Sequence, residues 1–355
     1  MTGGSSHGCQ ISHNKVPAVI DEIIIKLLDY CEMHCQMCGQ LSQGDRRVVL
    51  NASKLFQYLS AFNLQGQRVY LWGGEPLLHP ELPLLISFLK DRGAVVAINT
   101  NGYRFADHRF DLVTRRVDRA IFSLDGYEAC THDSIRGMPG SHARITSAIA
   151  MLNALRPTGR LPLIRVNSIV LASNFEEIPA LAAWCQSNGI YKVTFQLPVL
   201  LTHEQINAYA RLAQAECRCE IRNYAGFLRS TDAFDFSGLA RVMATVNTRF
   251  AGFARFSPFE TLSSDELRSY YMTDAPIKPC RCDVVDNRIV IDSSGRLVTC
   301  PDFPDIAYGD LSSGITDAGR LAWLSHRLRA GSPLPTCSRC CHYTPTRGEP
   351  ASGTI

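Results

Sequence analysis

Cys31, Cys35 and Cys38 fall within one short loop, with three residues between the first two and two between the last two. Thiolates held that close suit a cubane iron–sulfur cluster, whose irons take soft sulfur ligands at short, fixed separations. Three protein ligands leave one iron of the cube open to a ligand that is not protein. A zinc ion is the competing occupant, but structural zinc needs a further donor, and His34 would have to supply it from inside the same loop. A third reading is thiols that merely neighbour one another in a chain with 14 cysteines.

A second constellation lies near the other end: Cys280, Cys282, Cys300, Cys337, Cys340 and Cys341. Between Cys282 and Cys300, apolar residues alternate on both sides of Ser294-Gly295, the pattern of a β-hairpin. Such a hairpin brings Cys282 and Cys300 together, and Cys337-Ser338-Arg339-Cys340 adds a two-thiol knuckle. Cys282, Cys300, Cys337 and Cys340 then make a complete thiolate set for a [4Fe–4S] cluster or for a zinc ribbon. Cys280 and Cys341 stand beside this set, and either could replace its neighbour. Cys9, Cys130, Cys185, Cys217 and Cys219 remain, most of them expected to behave as small buried hydrophobes.

The elements that position these residues read as strands alternating with helices. Apolar runs mark strands at 20–28, 67–72, 94–99, 119–124, 163–171 and 191–196. Amphipathic stretches mark helices at 53–63, capped by Ser53, and at 81–92, 107–116, 143–155 and 176–187. Strand–helix repetition demands a parallel sheet with right-handed crossovers. Ligands of such sheets sit at the carboxyl ends of the strands. The cysteine loop, Gly73-Gly74-Glu75-Pro76, Asn99-Thr100-Asn101-Gly102 and Ser123-Leu124-Asp125 all fall at or just after those ends. From 202 to about 275 the alternation fades into helices and loops, and beyond Pro276 the texture turns to Pro, Gly and Cys.

The Cys31/Cys35/Cys38 spacing after the first strand, with Gly-Gly-Glu-Pro after the second, resembles the radical SAM superfamily. The resemblance implies an α/β fold, a partial (β/α)6 barrel over 19–200, preceded by a tail at 1–18. It implies that Cys31, Cys35 and Cys38 hold a [4Fe–4S] cluster whose open iron chelates S-adenosylmethionine. One-electron reduction then gives a 5′-deoxyadenosyl radical that abstracts hydrogen from a substrate carbon. Gly73, Gly74 and Glu75 would meet the methionyl amino group, Ser123 the ribose, and Arg136 the methionyl carboxylate. Strand-end capping for Ser123 and a surface loop position for Arg136 are the plain alternatives; for Asp125 the choice is between a ligand contact and an Asp-Gly turn. Met37 replaces the aromatic that the family often has at that place. The later cysteines resemble a shortened SPASM or twitch domain over 276–345, reached through a bridge at 201–275 and followed by a tail at 346–355. Thr346 departs from the longer SPASM cysteine run, so one auxiliary [4Fe–4S] cluster is expected. A flavodoxin- or ferredoxin-type protein is the implied electron donor.

Net charge is +3 and composition is 46% hydrophobic and 19% charged, an ordinary globular balance with no argument for nucleic acid or an acidic membrane surface. No apolar run reaches spanning length, and cysteine-rich chains without a disulfide framework suit the cytoplasm. The expected activity is an oxidoreductase acting on a small molecule such as a sugar, an aminocyclitol or another natural product, with dehydrogenation or epimerisation as the outcome. Only about eighteen residues precede the first strand, too few for a peptide-binding module of their own. The alternatives are a ribosomal-peptide maturase, acting by C–H crosslinking or epimerisation, and an iron–sulfur or zinc-binding interaction protein without catalysis. No catalytic side chain is singled out, although a cysteine thiol facing the site would return hydrogen to a substrate radical.

Overall fold

The computed structural model describes residues 20–39, 47–108, 117–155, 162–222, 224–229, 234–274, 277, 280–282, 284–329, 334–340 and 344–345. The expected tails, most of the helix at 107–116, Cys9 and Cys341 lie outside these residues, as does the side chain of Cys280. In chain order the structure runs β1 Glu22–Lys26, α1 Ala52–Leu59, β2 Arg68–Trp72, α2 Leu82–Asp91, β3 Val95–Thr100, β4 Arg119–Ser123, α3 Ala129–Arg136, α4 Ser141–Leu155, β5 Leu163–Ile169, α5 Ile178–Ser187 and β6 Lys192–Gln196. It continues with α6 His203–Leu212, α7 Phe236–Arg249, β7 Ala254–Ser257, α8 Ser264–Met272, β8 Cys280–Arg281, α9 Val284–Asn287, β9 Arg288–Ile291, β10 Arg296–Val298, β11 Ala307–Asp310, β12 Gly314–Ile315, α10 Ala318–Arg329 and β13 Thr344–Pro345.

Strands β1 to β7 pair in sequence order, all parallel. The six expected strands are present, and β7 extends them inside the stretch where no alternation was expected. Its sequence, Ala-Arg-Phe-Ser, carries polar residues at every second position and so makes no apolar run. The period of two sorts each strand into two faces. Ile23, Ile25, Val69, Leu71, Val96, Ile98, Phe122, Val166, Val193, Phe195 and Phe256 face the helices and join one core with Leu55, Leu85, Ile86, Leu89, Leu181 and Leu239. The alternate residues look inward at a polar lumen.

Two local readings are corrected. Helix α1 is capped by Asn51, whose side chain accepts from Lys54 N, rather than by Ser53. The segment around Arg136 is not a loop but the last turn of α3, closed by Gly137 in the left-handed conformation at φ 60°. The short, polar sequence of α3 has too few apolar residues for its period to show.

The expected hairpin is β9–β10, and it does not stand apart from the barrel. Strand β9 lies parallel to β1, with Ile23 opposite Ile289 and Ile25 opposite Ile291, so one sheet runs continuously from β12 to β7. Among the described residues no helix is long and apolar enough to cross a membrane.

Candidate functional site

The cysteine loop leaves the end of β1 and is clamped from three sides. Trp72 O accepts from Leu27 N, while Gly74 N and Glu75 N donate to Leu28 O and Tyr30 O. The Gly-Gly step therefore lies flat against the start of the loop, and a Cβ on Gly74 would collide with the Tyr30 carbonyl. From α3, the carbonyls of Arg136 and Ile135 accept from His34 N and Gln36 N at 3.2 and 3.0 Å. From the bridge, the turn at 225–227 packs against Cys38 so closely that Gly226 has no room for a side chain.

Cys35 is buried, while Cys31 and Cys38 are partly exposed. Burial pushes the Cys31 and Cys35 thiols above their ordinary range, and the Arg136 guanidinium partly offsets this at Cys35. Thiols in such a place stay neutral until a cation replaces the proton. Met33 N and Asn101 Nδ2 approach Cys31 Sγ at 3.4 and 3.6 Å, and Arg136 Nη1 approaches Cys35 Sγ at 3.7 Å. Donors around the sulfurs suit an anionic cluster.

Glu75 is fully buried and faces away from the lumen. Its Oε1 accepts from Leu77 N and Thr100 Oγ1 and its Oε2 from Asn101 N, at 3.0, 2.7 and 2.8 Å. It thereby ties the ends of β2 and β3 together beneath Cys31. Burial outweighs these donors and raises its pKa to about 7.

A cavity of about 300 Å³ occupies the lumen, with Cys35, Cys38, Ser123, Asp125 and Arg136 in its wall. Gly73, Gly74 and Glu75 are outside that wall, and Gly74 N and Glu75 N bond the start of the cysteine loop. Asp125 Oδ2 and Arg136 Nε form an ion pair at 2.6 Å, the carboxylate wholly buried. Asp125 Oδ1 also accepts from Ile169 N, and Asp125 N donates to His132 Nδ1. This pair therefore joins β4, β5 and α3 at the lumen. Burial lowers the His132 pKa to about 4, so the ring is neutral and accepts at Nδ1.

Sequence reasoning missed most of the lumen. Beside Asn99, which the sequence already puts at a strand end, Lys26, Trp72, Arg165, Asn167, Thr194, Gln196 and Arg255 line it. The signal was there as polar residues at every second position of otherwise apolar strands. Burial lowers the Lys26 pKa to about 8, against the pull of Asp29.

Cys282, Cys300, Cys337 and Cys340 line a separate small cleft with Phe303, Leu324, Leu328 and Leu334. Burial comes first, and then Asp302 and the three other thiols, in holding the Cys300 thiol well above its ordinary range. Among the described residues no three His, Cys, Asp or Glu side chains converge closely enough to share one metal ion. The cysteines expected to act together thus face one cleft without meeting at a point.

Residues 25–185 match the family described as the Radical SAM superfamily. These residues are a radical SAM domain. Members of that superfamily are enzymes, which displaces the reading of a non-catalytic interaction protein. The chain is 30% identical over 189 residues to GTP 3′,8-cyclase of Rhodopseudomonas palustris, covering 48% of this chain and 51% of the relative. It is 23% identical over 282 residues to PqqA peptide cyclase of Streptomyces rochei, covering 79% of this chain and 68% of the relative. The chain spans about half the length of the first of these. Its fold resembles Streptococcus suis SuiB bound to S-adenosylmethionine, with TM-score 0.60, 16% identity and coverage of 88% of this chain and 67% of that one. It also resembles anSMEcpe with bound AdoMet, with TM-score 0.59, 12% identity and coverage of 90% and 85%. The radical SAM domain implies a [4Fe–4S] cluster and S-adenosylmethionine, and the donor set of its cysteine loop fits the cluster.

Proposed function

We propose that the protein is a radical SAM oxidoreductase that removes hydrogen from an unactivated carbon of a small polar substrate held in the barrel lumen. The observation that carries this reading is a cavity whose wall includes two of the three loop cysteines and the polar inward residues of β5 to β7. When bound and reduced, the cluster supplies one-electron cleavage of S-adenosylmethionine, which yields the hydrogen-abstracting species. Cys31, Cys35 and Cys38 would hold the cluster, and the backbone of the Gly73-Gly74 step fixes their loop. Glu75 positions that step and the β3 turn.

Arg136 presents a planar guanidinium at the cavity wall, suited to a carboxylate by paired hydrogen bonds. Asp125 orients it. Ser123, at the end of β4, offers a hydroxyl to a ribose in the same wall. Phe227, Pro301 and Pro304 line the cavity from outside the barrel, and such cover keeps water and other quenchers from a reactive intermediate. Cys282, Cys300, Cys337 and Cys340 would hold one auxiliary cluster.

A second reading, a maturase of a ribosomal peptide, is favoured by one relative, a peptide cyclase whose similarity runs over 79% of this chain. In either case the expected result of anaerobic incubation with dithionite and S-adenosylmethionine is release of 5′-deoxyadenosine. The C31A/C35A/C38A variant should release none. Absence of the nucleoside from the reconstituted wild-type protein would refute the proposal.

A further inference from the structure

Hydrogen abstraction asks only for a dry cavity, yet this lumen holds a buried guanidinium whose Nε is unmatched. Arg165, inward on β5, is 9% exposed, and its Nε has no hydrogen-bond partner among the described residues. Arg255, inward on β7, lines the same cavity two strands away. Burial disfavours the charge of both, and Arg255 and then Arg119 press further on Arg165. Two of the acids in the cavity wall are paired with other arginines. Glu22 faces Arg288 at 4.0 Å and Asp125 faces Arg136 at 2.6 Å. Asp302 belongs to the covering segment after Cys300, and Glu260, which attracts Arg255, is outside the cavity wall.

Two neutral groups share the predicament. Trp72 Nε1 and Asn99 Oδ1 are buried without a hydrogen-bond partner, and both residues line the cavity. The strand register sets Asn99 level with Ile121, and Ile121 level with Arg165. One layer of the barrel thus carries a cation, a donor and an acceptor that the protein itself leaves unmatched. Groups so buried destabilise a fold unless a ligand answers them.

We propose that Arg165 and Arg255 form a subsite for an oxyanionic group of the substrate, a carboxylate or a phosphate, with Asn99 and Trp72 bonding the polar part of the same molecule. This rests on the lumen being the substrate site, and it narrows the substrate to an anion. A guanidinium matches either oxyanion by two parallel N–H donors. Arg165 lies one layer below Ser123, while Arg255 is level with Ser123 in the register through Asn167 and Thr194, so the anion is held between the two layers on the β5–β7 side of the lumen.

The test uses the full chain with its clusters reconstituted, unfolded by heat in inorganic phosphate, in acetate, and in chloride at matched ionic strength. Phosphate or acetate should raise Tm above chloride, and whichever acts identifies the oxyanion. Arg165→Gln should weaken the apparent affinity about tenfold or more, Arg255→Gln should do likewise, and Arg165→Lys, which keeps the charge, should retain part of the effect. Equal Tm in the three salts, or a rise that is undiminished in both glutamine variants, overturns the subsite. Release of 5′-deoxyadenosine by the wild-type protein is measured beside it. Release without anion binding sinks only the subsite, whereas anion binding without release sinks the radical reading instead.

Discussion

Glu75, expected to meet a cofactor, is held among backbone donors at the ends of β2 and β3. Its carboxylate accepts from two backbone amides and a threonine hydroxyl, so Glu75→Gln places an amide where only acceptors fit. The expected loss is about 1–3 kcal/mol in denaturant unfolding. Gly74→Ala should cost at least as much, because the added Cβ meets the Tyr30 backbone, and it should lower iron retention as the cysteine loop shifts. Glu75 also gives a pH signature. Its folded pKa is raised from 4.5 to about 7, so the folded state binds more protons than the unfolded one between these values. Stability from this group is complete below 4.5 and is lost as pH rises towards 7. Glu75→Gln should flatten that slope in unfolding curves taken across the window.

At the scale of elements, α3 is the part whose loss would matter most, since it supplies the carbonyls that hold the cysteine loop and carries Arg136. It docks through His132, whose Nδ1 accepts from Asp125 N at 3.1 Å. The folded pKa of His132 is lowered from 6.5 to about 4. Its contribution is therefore present above 6.5 and is lost as pH falls towards 4, opposite in sign to that of Glu75. The two slopes offset one another in the wild-type chain, so each is read by difference against its variant. His132→Asn keeps an acceptor without a titrating ring. Hydrogen exchange of the α3 amides should accelerate at pH 4 in the wild type and not in this variant; equal protection at pH 4 and pH 7 in the wild type would disprove the docking role. The sequence made the strands legible because one face of each is apolar. It hid α3, which has only two buried side chains, and β7, which presents Arg255 and Ser257 to the lumen.

Across the whole molecule, the motifs at the strand ends were legible because chemistry fixes their residue types and spacing. The join between the halves was not, since parallel pairing of β9 with β1 links residues more than 260 positions apart and leaves no local pattern. That join places the two clefts back to back. Cys300 lines the cysteine cleft, while Pro301 and Asp302, next in the chain, line the lumen cavity. Side chains reinforce the contact: Ser293 Oγ donates to Asp29 Oδ1 at 2.9 Å, and Asn287 Nδ2 to Asp21 Oδ2 at 2.8 Å. If each cleft holds one cube, anaerobic reconstitution should give about eight irons per chain. C31A/C35A/C38A should keep about four, and C282A/C300A/C337A/C340A should also keep about four, with inorganic sulfide falling in step. Because the cover of the lumen hangs from Cys300, the second variant should in addition show faster hydrogen exchange through the segment after it, where the first should not. A protein loaded with zinc at the second set, with iron unchanged by its removal, would leave the lumen chemistry standing but end the case for an auxiliary cluster.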